Sequence, residues 1–131
     1  MATTKKTEND RELCSKIRKF YPIYYQALDT ERDRLMPLFV DNLPTLTWNG
    51  HRCEGKDAIR TFLEQLPKMD HTVACVNPQV MDVTGDEAWA LVSVLGNVVI
   101  GGENHGFTQS FVMVPDAGTY RIQDHQYRFI D

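Results

Sequence analysis

Four histidines, His51, His71, His105 and His125, are the side chains of this 131-residue chain best suited to move protons or bind a metal near neutral pH. No H-x-x-x-H or H-E-x-x-H spacing links them, and each falls in or beside a different predicted strand, so no metal site is expected. The three cysteines, Cys14, Cys53 and Cys75, are an odd number and widely spaced, without a C-x-x-C pair. That argues against a zinc site or a disulfide framework and for a reducing compartment. An acid/base pocket has raw material in Asp41, Asp124, His125, Tyr24 and Tyr25, because a carboxylate buried under helices acquires a raised pKa and can work as a base. Asp124 and His125 are adjacent in a strand and point to opposite faces, which rules them out as a dyad. Asp41, beside Asn42, reads as a loop residue, and the tyrosines read as core aromatics with hydroxyls at the rim. His51 and Glu54 flank a tight turn, where they either converge on a pocket or belong to scaffolding. With no G-x-S-x-G, P-loop or G-x-G-x-x-G in the chain, no catalytic residue and no cofactor is expected.

Composition narrows the classes further. The chain is 42% hydrophobic and 24% charged, with 14 Lys+Arg against 18 Asp+Glu and a net charge of −4. Direct nucleic-acid binding is not expected, since phosphate contact is dominated by clustered Lys and Arg. The opening MATTKKTENDRE has no apolar core and reads as a flexible polar tail over residues 1–10, leaving 11–131 as a single domain of soluble, intracellular type. The longest apolar run, Ala88 to Gly102, is interrupted by Ser93, Gly96 and Asn97 and is too short to cross a bilayer, so no membrane contact is expected.

These residues are positioned by elements that the periodicity predicts. Leu13, Ile17, Phe20, Tyr21, Tyr24 and Leu28 recur at helical spacing, with a kink expected at Pro22. Thr30-Glu31-Arg32-Asp33 resembles a capping box opening a second short helix that faces Leu35, Leu38 and Phe39 inward. Thr45–Trp48, Asn49-Gly50 and His51–Cys53 form a hairpin signal, both turn residues tolerating positive φ. A third helix follows from about Lys56, presenting Ala58, Ile59, Phe62, Leu63 and Leu66, and stops at Pro67. Four long strands are predicted after it: His71–Val83 with an edge or bulge at Pro78, Ala88–Ile100, His105–Val114 and Tyr120–Phe129. Thr84–Glu87 reads as a turn between the first two. Three helices on a strongly bent antiparallel sheet is an α+β layout.

One strand is too apolar for a sheet with water on its second face. In Ala88–Leu95 both parities are hydrophobic: Ala90, Val92 and Val94 on one side, Trp89, Leu91 and Leu95 on the other. Phe111–Val114 repeats the feature. Three helices leave little chain to cover a second face, so a partner is expected there.

In order and spacing, F-Y-P-I-Y-Y-Q-A-L-D, L-T-W-N-G, E-G-K-D-A-I with L-P, G-F-T-Q-S-F and the closing Y-R-F resemble the nuclear transport factor 2-like family, over nearly the whole chain from Leu13 onward. The resemblance implies a cone-shaped domain, pairing of two such domains through their sheet faces, and a scaffolding role for the W-N-G hairpin. Carriers of Ran in this family have Trp-Glu-Gly at the hairpin and several acidic residues before G-F-x-Q-x-F. Here Asn49 occupies the hairpin and the Gly101–Asn104 turn keeps only Glu103. The W-N-G form is similar to the family's small export subunits, whose partner is the like-folded domain of a Tap-type messenger-RNA export receptor. That implies a nuclear, shuttling, non-catalytic heterodimer subunit that meets nuclear-pore phenylalanine-glycine repeats through the heterodimer. Arg128 matches an arginine that pairs with a partner carboxylate, and a second contact falls on Val76 or its neighbour Asn77. Leu91, Ser93, Leu95, Gln109 and Gln126 are expected beside them. A homodimeric Ran-GDP import carrier and a cone-pocket isomerase or dehydratase are the alternatives.

Overall fold

An amphipathic α1 (Ala2–Thr30) opens the chain and buries one stripe, Leu13, Ile17, Phe20, Tyr24 and Leu28, against the sheet. The computed structural model describes residues 2–81 and 88–130, with side chains from residue 11 onward. The helix takes in residues 2–10, which the polar composition suggested as a tail. Apolar spacing marks only the packed part of a helix, and Lys5, Lys6 and Glu8 are themselves good helix formers. Pro22 stays inside α1 on its exposed side, where the carbonyl left without its N–H partner faces water.

The second helix is a 3₁₀ helix, Arg32–Leu38, with Pro37 in its last turn. The expected capping box does not form. Glu31 is the N-cap without a side-chain bond, and Thr30 Oγ1 donates back to Gln26 O at 2.6 Å. The Arg32 guanidinium instead fastens two helix ends. It donates to Leu28 O at the end of α1 and to Leu63 O, Leu66 O and Pro67 O at the end of α2 (Lys56–Glu64). Those carbonyls gather at the C-terminal ends of the two helices, the negative end of the helix dipole.

The strands are β1 (Thr45–Trp48), β2 (His51–Glu54), β3 (Met69–Met81), β4 (Trp89–Ile100), β5 (Glu103–Asp116) and β6 (Thr119–Phe129). They form one sheet in the order β2-β1-β6-β5-β4-β3. The hairpin turn adopts φ 47° at Asn49 and 86° at Gly50, as the sequence required. The sheet is mixed rather than purely antiparallel, because β1 runs parallel to β6. The hairpin docks on β6 by its side, and a strand arriving from a distant part of the chain has no tight turn to fix its direction. Pro78 lies on β3, an edge strand among those described, where a missing N–H costs no ladder bond. The expected end of that strand at Val83 and the turn Thr84–Glu87 lie outside the described residues.

Two irregularities shape the sheet. Register shifts between Val73 and Cys75 on β3, and between Val112 and Met113 where β5 meets β6. Bulges add twist and bend the strands that carry them. Opposite the first of them sits Gly96, where a Cβ would stand 2.2 Å from Thr72 O and 3.0 Å from the Phe107 ring. The backbones approach too closely there for any side chain.

Candidate partner-binding face

Alternation along the strands divides the sheet into two chemically different faces. On the helix-covered face, Ala90, Val92, Val94 and Val98 of β4 are buried, as are Phe107, Phe111 and Met113 of β5 and Ile122 and Tyr127 of β6. The hairpin serves this interior. Trp48 stacks on Tyr127 at 3.7 Å, and Asn49 Oδ1 accepts the Phe129 N–H at 2.8 Å, tying the turn to β6. His51 stacks on Phe62 at the surface, and Glu54 accepts from Arg52. His51 and Glu54 both border a shallow, open hollow with Asp57 and Thr61, but neither bonds to the other there.

Beneath the helices lies a polar network that sequence reasoning did not find. Asp29 accepts both the His71 backbone N–H (2.8 Å) and His71 Nδ1 (2.6 Å), while His71 Nε2 meets the Tyr127 hydroxyl at 2.7 Å. Because a carboxylate only accepts, Nδ1 carries the proton and Tyr127 donates to Nε2 when the ring is neutral. Tyr25 donates to Gln109 Oε1 at 2.6 Å, and Gln109 Nε2 donates to the Tyr24 hydroxyl at 2.9 Å. Burial raises the pKa of Tyr24, Tyr25 and Tyr127, so these phenols hold their protons. His125 is fully buried among Tyr24, Phe39 and Phe111, its Nε2 has no partner, and desolvation lowers its pKa to about 3. Of the carboxylates put forward for an acid/base pocket, Asp41 is at the surface, held below its usual range by a hydrogen bond from Lys56. Asp124 accepts from Thr45 Oγ1 on the other face. The only sign of Asp29 in the sequence was its place four residues beyond Tyr25 on the buried side of α1.

The open face is laid out in rows by the register. One row is Cys75, Leu95, Thr108 and Arg128; the next is Asn77, Ser93, Ser110 and Gln126; a third is Gln79, Leu91, Val112 and Asp124. The first two rows line a shallow hollow of about 480 Å³. Its centre is small and uncharged, and large apolar groups flank it. Leu95 is 44% exposed, Trp89 37% and Val99 45%. At the border, Arg128 makes no ion pair among the described residues.

Of the seven residues expected at a partner interface, Leu91, Ser93, Leu95, Gln126 and Arg128 lie on this face. Gln109 does not. It is 2% exposed and bonded to both tyrosines on the helix side, sharing the parity of Phe107 and Phe111. Val76 is also displaced. The bulge after Val73 turns it toward α1 and the core, and brings Asn77 to the open face instead.

A family model described as the nuclear transport factor 2 (NTF2) domain matches residues 17–129. The chain belongs to the NTF2 family. Among curated relatives, an NTF2-related export protein of Caenorhabditis elegans is 30% identical, over 100% of this chain and 98% of its own length. NTF2-related export protein 2 of Homo sapiens is 30% identical, covering 92% and 89%. A Nuclear transport factor 2 of Emericella nidulans is 32% identical over 86% and 90%. Among solved structures, nuclear transport factor 2 of Cryptosporidium parvum superposes with a TM-score of 0.79 at 23% identity, covering 91% and 95%. A putative scytalone dehydratase of Novosphingobium aromaticivorans reaches 0.73 at 18%, covering 95% and 89%. Enzymes and transport factors thus share this α+β NTF2 fold, while the relatives named above are transport and export proteins by name.

Proposed function

We propose that this NTF2-family chain is a non-catalytic subunit of a nuclear messenger-RNA export receptor. It heterodimerises through the open sheet face with the like-folded domain of a Tap-type partner, and the pair shuttles through the nuclear pore by engaging phenylalanine-glycine repeats. The observation that carries this reading is the pairing, on one face uncovered among the described residues, of the outward Leu91 and Leu95 with Arg128, which makes no ion pair among those residues. Small central residues such as Ser93 and Ser110 let a second sheet approach to about 10 Å, and Arg128 meets a carboxylate at the rim. A non-catalytic role is supported by the interior, where the candidate acid and base groups are bonded to one another or held in their neutral forms. The Ran-carrier alternative calls for several acids at the β4–β5 turn, and Gly101–Asn104 carries only Glu103.

The test is co-expression of the tagged chain with the like-folded domain of a Tap-type receptor, with stoichiometry read by light scattering. A one-to-one complex is expected, and Arg128→Glu is expected to weaken it about tenfold or more without lowering the melting temperature. A homodimer that excludes the receptor domain, or one that retains Ran-GDP, would overturn the reading.

A further inference from the structure

The sheet has a second, separate feature that this reading leaves unused: the free edge of β3. Among the described residues no strand lies beyond it, so the main-chain groups on its outer side have no ladder partner. A groove of about 400 Å³ runs there. One wall is a single stripe of α1, Cys14, Ile17, Arg18 and Tyr21, at spacings of three, one and three. The other wall includes Val73, Ala74, Cys75 and Val76 in unbroken succession. Successive strand residues point to opposite faces, so a groove touching all four follows the edge of the strand. Within it the bulge leaves Ala74 out of the pairing with β4. No carboxylate lines the groove, and Arg18, exposed at its wall, makes no ion pair among the described residues.

We infer that the edge of β3 is a docking site for an extended acidic peptide segment of a partner protein. The segment adds as a further strand on β3, rests alternate apolar side chains against the half-buried Tyr21 and Val73, and sets a carboxylate on Arg18. Main-chain hydrogen bonds supply the affinity, and the helix wall with its single cation supplies the selectivity. Pro78, which has no N–H to offer, bounds the usable edge at its C-terminal end.

The probe is a fluorescein-labelled heptapeptide of alternating valine and glutamate, with fluorescence anisotropy as the readout and amide shifts of the isotope-labelled protein as the map. Saturable binding with a dissociation constant on the order of 100 μM is expected, with shifts confined to residues 14–21 and 72–78. Arg18→Glu is expected to weaken the acidic peptide about tenfold and to favour its valine–lysine counterpart. N-methylation of one alternate set of peptide amides should abolish binding, while methylation of the other set is tolerated. No saturable binding up to about 1 mM, equal binding to Arg18→Glu, indifference to both methylated peptides, or shifts centred on Leu95, Ser93, Ser110, Gln126 and Arg128 would each overturn the proposal.

Discussion

His125 is the least comfortable residue in the molecule, a fully buried imidazole in an aromatic cage with one nitrogen unpaired and the other 3.4 Å from a tyrosine hydroxyl. Its pKa falls from the ordinary 6.5 to about 3, so the unfolded chain binds a proton that the folded one refuses between those values. Stability from this group is complete above about pH 6.5 and declines as pH falls through that window, by about 1.4 kcal/mol per pH unit. His125→Phe places an apolar ring in the same cage. Urea melts at pH 7 and pH 5 are expected to show near-wild-type stability at pH 7 and a smaller loss at pH 5 than wild type. An identical acid loss in both proteins would assign the effect elsewhere.

At the scale of elements, much was legible in the sequence because local rules governed it. Asn49-Gly50 set the hairpin, helical spacing set the buried stripe of α1, and the doubled hydrophobicity of β4 put Leu91, Ser93 and Leu95 opposite Ala90, Val92 and Val94. Gln109 was misplaced on the partner face although the signal against that was present: Phe107 and Phe111 share its parity, and a polar side chain between two inward aromatics goes inward with them. Val76 was not legible, because a one-residue bulge flips every side chain beyond it and leaves no local signature in V-A-C-V. Nor was the Asp29–His71–Tyr127 network, whose members lie far apart in sequence and meet only through the packing of α1 on the sheet. Gly96, facing that bulge, gives the sharpest structural prediction. Gly96→Ala drives a methyl into the Thr72 carbonyl and is expected to cost about 3 kcal/mol in chemical denaturation, whereas Gly102→Ala, with open space around its Cβ but φ at 84°, should cost about 1 kcal/mol from backbone strain alone.

For the whole molecule the decisive property is the contrast between the two faces of one sheet. The helix-covered side is closed by its own aromatics, and the other leaves Trp89, Leu95 and Val99 in water. Introducing a charge at Leu91 separates folding from assembly. Leu91→Glu is expected to keep a cooperative melt within about 1–2 kcal/mol of wild type, while the complex with a receptor domain is lost on size exclusion because the carboxylate would be buried unpaired. Retained assembly would mean the partner sits elsewhere.

The parallel seam between β1 and β6 also has a consequence for biosynthesis. The last of the described strands in chain order, Thr119–Phe129, lies between β1 and β5, so until it leaves the ribosome the β1–β2 hairpin and the β3–β4–β5 meander are two unjoined pieces. Thr45 waits for Asp124, and Trp48 for Tyr127, across most of the chain. Nascent molecules therefore expose the future core until β6 emerges, and a chaperone present at that moment meets the chain at its most aggregation-prone.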